Sequence, residues 1–428
     1  MRVIITTVGT WGDVLPFIGI GTELRKRGHE VVILANSKYE QDIRKWGLEF
    51  HSIGQKEKLE EALSYLLNEG LIWEKKNKKT AKIYKVIEAC RTISLSATGP
   101  ILEYASKHNK PGNTLLISNY ICYGTRYVQD KLGIPCITTV LVPFYIRSGI
   151  RPSEQPGLSA NAPRIIKRLY TLIFEDIFVL KPMFEKFKDQ GIDLSKYKSF
   201  KHRCSPDKVI CMAPDWFAKP QADWPAQTET VGFPFFEGEQ IQELPQELVE
   251  FLNSGEPPVV FNPGSQVRKD DNSFVEESIK ACRKLGMRGV FIALPENKRP
   301  VDLPPYMRAF GYVNLSLLLQ RSAAMVHHGG IGNCAQGLRA GVPHLVVPVY
   351  AEHFDTAYRL KELGVGDSIM WDNYRDELIV HKLEGLLKSK ETERNCKAIA
   401  QKFGTGNAIE IFCDIAENVA LNRGITLK

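Results

Sequence analysis

Residues 326–355 read VHHGGIGNCAQGLRAGVPHLVVPVYAEHFD: two adjacent histidines, a glycine cluster, an amphipathic segment, and an apolar run that ends in Glu-His. Each part has a chemistry. Imidazole N–H groups donate to oxyanions, and glycines let a backbone turn sharply and come close to a ligand. A helix that begins just after them points free N–H groups and the positive end of its dipole at an anion. The stretch therefore reads as strand, glycine turn (Gly329, Gly330, Gly332) and a helix from near Ile331, a cradle for a diphosphate. His328 would serve it through a ring N–H or a charge, while His327 reads as a satisfied histidine at a strand end. Gln336, on the first turns of the helix, brings an amide within reach of a ribose hydroxyl. Glu352, His353 and Asp355 gather at the end of the next strand, the edge where open α/β sheets hold ligands. A carboxylate beside an imidazole suits sugar hydroxyls, although Glu352 taken alone reads equally well as a first-turn acid of its helix.

A second candidate stands near the start of the chain, where residues 6–31 read TTVGTWGDVLPFIGIGTELRKRGHEV. Asp13 follows Gly12 and precedes an apolar-periodic helix with Pro16 in its first turn. One account makes Asp13 the N-cap of that helix. The other makes it a base at the edge of a cleft, its pKa lowered by the helix dipole and raised by exclusion of water. His29 reads as a turn residue before the second strand.

These residues need a frame that brings them together. Short β-branched runs separated by helical stretches fill both halves: RVIITTV, VVILAN, TLLISN, CITTVL and KVICMA, then PVVFNPG, GVFIALP, RAFGYV, AAMVHHG and HLVVPV. Near-continuous apolar strands between helices imply parallel sheets covered on both faces. A chain of 428 residues suits two such domains. The Gly-, Pro- and acid-rich residues 232–245 mark the boundary, giving an acceptor-side domain 1–235, a domain 236–405 and a closing amphipathic helix within 406–428. The irregular, aromatic-rich residues 101–200 suit an acceptor pocket, with Gly12, Tyr120 and Phe144 as its expected contacts.

Composition narrows the function. Hydrophobic content of 43% and charged content of 25% are those of a soluble globular chain. Nine scattered cysteines without a C-x-x-C pair indicate neither a zinc site nor a disulfide framework and fit a reducing, cytoplasmic setting. The first residues read as a buried strand and not as a signal peptide, and no apolar run is long enough to span a bilayer. Net charge is +7, unevenly placed: residues 1–230 hold 34 Lys+Arg against 24 Asp+Glu, and the remainder 22 against 25. The basic half, densest at residues 73–85, permits peripheral contact with an anionic membrane. No recognition motif accompanies it, so nucleic acid is not an expected partner. Nothing in the sequence fixes an oligomeric state.

The segment from Tyr312 to Asp355 resembles the donor-binding signature of the family 1 glycosyltransferases, the UDP-glycosyltransferase superfamily of GT-B fold, in its bacterial branch of antibiotic, sterol and rhamnolipid-type enzymes. The resemblance implies two Rossmann-like domains facing a central cleft, and inverting transfer of a hexose from a nucleotide-sugar (UDP foremost, dTDP open) to a small lipophilic acceptor. Residue by residue, it implies Tyr312 stacking on the base and Val313 bonding it through the backbone. Gly264 and Ser265 approach the phosphates, His328, Gly330 and the amides after Gly332 cradle the diphosphate, and Gln336 contacts the ribose. Glu352 and His353 read the hexose, and Asp13 is the general base. Two departures stand out. Asn333 and Cys334 follow the last glycine where the family has Ser or Thr, so the Asn333 amide or backbone N–H groups must replace a hydroxyl. His353 stands where glutamine is common, and in plant members histidine there accompanies galactosyl donors. No metal and no cofactor are implied, since the nucleotide-sugar is a substrate and the helix dipole takes the role of a cation. Two alternatives share the signature: a nucleotide-sugar binder without turnover, and a hydrolysing epimerase, for which no acid/base carboxylate set is evident. A dinucleotide oxidoreductase is disfavoured, because GTWGDV replaces the G-x-G-x-x-G fingerprint.

Overall fold

The computed structural model describes residues 1–54, 61–62, 80–154, 162–171, 184–185, 187–188, 191–197, 199–236, 243–264, 272–294, 299–300, 302–349, 351–404 and 406–427. Two parallel sheets organise them. The first contains β1 (Arg2–Thr6), β2 (Glu30–Ala35), β3 (Glu49–Ser52), β4 (Thr114–Asn119), β5 (Cys136–Val140), β6 (Lys208–Cys211) and β7 (Thr228–Thr230), in the order β3-β2-β1-β4-β5-β6-β7. The second contains β8 (Val259–Asn262), β9 (Gly289–Phe291), β10 (Met307–Ala309), β11 (Ala324–His327), β12 (His344–Val346) and β13 (Gly366–Ser368), in the order β10-β9-β8-β11-β12-β13. Every pairing is parallel. All ten apolar runs of the sequence become strands.

Alternate residues of each strand serve opposite faces. Val3, Ile5, Ile33 and Ile117 pack on one side of the first sheet, under the first helix (Trp11–Lys26). Ile4, Val32, Leu34 and Leu116 pack on the other, against Ala97, Ile101 and Ala105 of the long helix Thr80–His108. Burial on both faces explains why these strands read as continuous hydrophobic runs.

The closing helix (Ala408–Asn422) returns to the first sheet. Asn407 caps it through the Ile409 N–H at 3.0 Å, and Ile409, Phe412, Cys413, Ala416 and Val419 enter the core beneath the first helix. Their spacing is that of one helical face. Arg27 Nη1 donates to Asp414 at 2.6 Å and Glu417 at 3.0 Å. His29 does precede β2, but it is buried, and its Nε2 meets Glu417 at 2.8 Å.

Contacts also join the two sheets' domains. A 3-10 segment (Pro143–Tyr145) follows β5, and the chain beyond it reaches the helix Ala351–Glu362. There the Glu154 N–H donates to Asp355 Oδ1 at 3.1 Å, and Arg151 pairs with Glu362. Arg359, buried, holds Asp355 at 2.6 Å and donates to the Phe217 carbonyl at 3.0 Å. Both domains contribute to one apolar cluster, with Phe217, Trp224 and Phe233 from one and Ala335, Leu338 and Leu360 from the other.

Candidate active site

The glycine-turn helix begins at Ile331 and ends at Ala340, capped by Gly330, with no side-chain bond to its first turn. The N–H groups of Ile331, Gly332 and Asn333 therefore precede the first intrahelical bond, Cys334 N–H to Gly330 O at 3.0 Å. His328 lies against this end. Its buried Nδ1 has no hydrogen bond of good geometry among the described residues, and a Cβ on Gly330 would stand 2.6 Å from its Nε2. Gly264, in the left-handed region at φ 67°, passes so close that a Cβ there would lie 2.5 Å from His328 Cε1. Burial lowers the His328 pKa to about 4, with the Asn262 backbone acting the other way. The ring is thus neutral near pH 7 and offers an N–H rather than a charge. Ser265 lies outside the described residues, as do residues 73–79 of the basic cluster.

A buried imidazole pair braces the turn. Gly329 N–H donates to His327 Nδ1 at 3.2 Å, so His327 carries its proton on Nε2, which faces His344 Nδ1 at 3.0 Å. Burial pushes both rings well below the ordinary histidine range. His327 is a structural residue, and its partner His344 went unremarked in the sequence.

Further along, Gln336 lies on the second turn, within the first turns as expected, and its Oε1 accepts from Arg339 at 2.9 Å. Its Nε2 is left as the donor. Tyr312 is 70% exposed, next to Val313 at 3%. That is the arrangement of an open ring beside a fixed backbone. Glu352 and His353 occupy the first turn of the helix Ala351–Glu362. His353 is buried, its ring edge-on to His328 at 4.9 Å and its Nδ1 accepting from Val349 N–H at 3.4 Å. Burial, with a smaller contribution from the charge of Asp13, raises Glu352 to about 7, so the two carboxylates lie within electrostatic reach of each other.

Across the cleft, the first helix starts at Trp11. Thr10 is its cap, so Asp13 is the third helical residue rather than the N-cap, and Pro16 falls in the second turn rather than the first. Asp13 Oδ2 accepts from the Thr10 N–H at 2.8 Å and from Thr10 Oγ1 at 3.0 Å, and Oδ1 takes no hydrogen bond from the described residues. The T-x-x-D spacing of Thr10 and Asp13 is a capping-box signature that carried this contact in plain view. Gly9, at φ 122°, makes room for the carboxylate, since a Cβ there would stand 2.4 Å from Oδ2. Of the opposing effects on Asp13, burial wins over the Thr10 bonds and the Lys38 charge, and its pKa is raised. Gly12 is exposed beside it, and Phe144 is half-buried on the segment after β5.

Tyr120 requires a correction. Expected to face an acceptor, it is 4% exposed, packed on Phe200 at 5.0 Å, and its hydroxyl accepts from Arg203 at 3.0 Å. It belongs to the aromatic core behind the cleft.

Comparison with known proteins agrees with this frame. Residues 3–149 match the glycosyltransferase family 28 N-terminal domain, and residues 287–408 match the erythromycin biosynthesis protein CIII-like C-terminal domain. The chain belongs to the GT-B glycosyltransferases. It is 25% identical to a sterol 3-beta-glucosyltransferase (UGT80A2) of Arabidopsis thaliana over 96% of its own length, and spans 65% of that relative. It is 27% identical to the O-mycaminosyltylonolide 6-deoxyallosyltransferase of Streptomyces fradiae, covering 85% of this chain and 84% of that one. The solved structure of the glycosyltransferase VinC in complex with dTDP superposes with a TM-score of 0.68 at 19% identity, over 99% of this chain and 100% of that one.

Within this GT-B chain, His328, Gly330, Gly332, Asn333 and Gly264 are brought to one helix end, Glu352 and His353 to the adjoining turn, and Asp13 to the facing domain. Among the described residues no group of three or more His, Cys, Asp or Glu is placed to hold a metal ion, and no helix is long and apolar enough to cross a membrane.

Proposed function

We propose that the protein transfers a hexose from a nucleotide-sugar, with UDP as the leaving nucleotide, to a hydroxyl of a small lipophilic acceptor, with inversion and without a metal. The carrying observation is that Asp13 of one domain lies within electrostatic reach of Glu352 of the other, on a turn that packs against the glycine turn through His353 and Gly329. Oδ1 of Asp13 takes the acceptor's proton as its oxygen attacks the anomeric carbon. The bond from that carbon to the diphosphate oxygen breaks on the opposite side, and the departing charge falls to the Ile331–Asn333 amides and the His328 N–H. No protein nucleophile is required. Glu352 accepts from the hexose hydroxyls beside the buried His353, Gln336 Nε2 donates to the ribose, and Tyr312 stacks on the base, with Val313 bonding it through the backbone. The acceptor class follows that of the relatives, a sterol 3-beta-glucosyltransferase and an O-mycaminosyltylonolide 6-deoxyallosyltransferase. The VinC complex with dTDP keeps thymidine donors within the test.

The test measures nucleoside diphosphate released from UDP- and dTDP-sugars with a panel of sterols, phenols and macrolide aglycones. Release that needs both donor and acceptor supports transfer. Donor binding with no release under any acceptor would replace it with a binder, and interconversion of sugars without an acceptor would replace it with an epimerase.

A further inference from the structure

The residue that departs from the family pattern, Asn333, is not left to orient itself. Asn262 ends β8 directly opposite His327 of β11, and its side chain is buried. The Gly264 backbone N–H, which can only donate, points at one atom of the Asn262 amide at 3.0 Å. That atom must be the oxygen, Oδ1. Asn262 therefore turns Nδ2, a pure donor, toward Asn333 at 3.2 Å. The facing atom of Asn333 must then be Oδ1, and its Nδ2 is fixed on the other edge of the amide, in the first turn of the glycine-turn helix. A backbone group thus dictates, through two side chains, which end of Asn333 is presented.

We infer that Asn262 is a positioning residue for the donor: it locks the Asn333 amide so that its N–H₂ edge faces the diphosphate, in place of the hydroxyl that family members carry there. The inference rests on the donor-site reading above. A rotated Asn333 would present an oxygen lone pair to the phosphates, exchanging an attraction for a repulsion. A serine or threonine hydroxyl would need no such lock, because it rotates to donate wherever an acceptor stands.

Asn262→Asp tests this with almost no change of shape. One carboxylate oxygen still accepts from Gly264 N–H, but the other can only accept, so Asn333 must turn its N–H₂ edge inward to meet it. Affinity for UDP and dTDP is titrated calorimetrically in four proteins: the parent, N262D, N333S and N262D/N333S, with thermal melts to confirm folding. The expected result is a loss of about tenfold to a hundredfold from N262D in the parent, the scale of a hydrogen bond to a charged group. In the N333S background the same substitution should cost less than about threefold, since the hydroxyl orients itself. An equal loss in both backgrounds would mean that the added charge alone repels the diphosphate, and no loss in either would mean that Asn262 orients nothing; each overturns the inference. If the parent binds neither nucleotide, the donor-site reading itself falls, and this with it.

Discussion

Asp13 accepts two hydrogen bonds through Oδ2, from the two donors of Thr10, and these fix the orientation of its carboxylate. Burial raises its pKa, which strengthens the carboxylate as a proton acceptor. Asp13→Asn keeps both Thr10 bonds and removes only the base. Turnover should fall by about 10²–10⁴-fold with donor affinity unchanged. Because the folded state favours the protonated form, ionised Asp13 is a stability cost that grows as pH rises through its pKa. The Asn variant should therefore melt no lower than the parent at neutral pH, and any advantage should vanish in acid; paired activity assays and melts check both. Glu352, raised to about 7, adds a second titration. Its ionised form is the better acceptor for sugar hydroxyls, so donor affinity should rise as pH increases through about 7 and flatten in Glu352→Gln. Isothermal titration of the donor across that range reads it, and a flat parent profile would remove Glu352 from the sugar contacts.

At the scale of elements, glycine-bearing turns place the chemistry, and Gly9, Gly264, Gly329 and Gly330 leave no room for a Cβ. Gly264→Ala would put a methyl 2.5 Å from His328 Cε1 in a left-handed backbone. The ring must move, so donor KM should rise with acceptor KM unchanged, at a stability cost of about 1 kcal/mol. Steady-state kinetics separate the two constants, and an equal rise in both would point to general damage. The interior strands were legible because burial on both faces forces continuous apolar runs. The three strands without such a run, β3, β7 and β13, are all edge strands with partly exposed residues. The place of the glycine turn at Gly329–Gly330 was legible because glycines and a helix start are local signals. Tyr120 was misread because an aromatic between two strands looks the same in sequence whether it faces a cleft or a core. The Asn262–Asn333 and His327–His344 pairs were invisible because their partners lie far apart in the chain, and only the parallel register joins them.

At the scale of the molecule, the domains are tied by the buried Arg359–Asp355 pair, which reaches the Phe217 carbonyl across the interface. Arg359→Leu would strand a buried carboxylate and should cost about 3–5 kcal/mol, whereas replacing both partners with apolar residues should recover most of it. Calorimetric melts of the single and double variants distinguish that from a simple loss of packing. The closing helix acts on the same scale, lending Phe412 and its neighbours to the core beneath the first helix and so supporting the turn that carries Asp13. The central proposal is that these two domains converge on sugar transfer with Asp13 as base. The most direct measurement is nucleoside diphosphate release with donor and lipophilic acceptor together, run in parallel for the parent and Asp13→Asn. The account predicts release by the parent only when both substrates are present, and near-complete loss in the Asn variant while donor still binds. Full release by the Asn variant would contradict it.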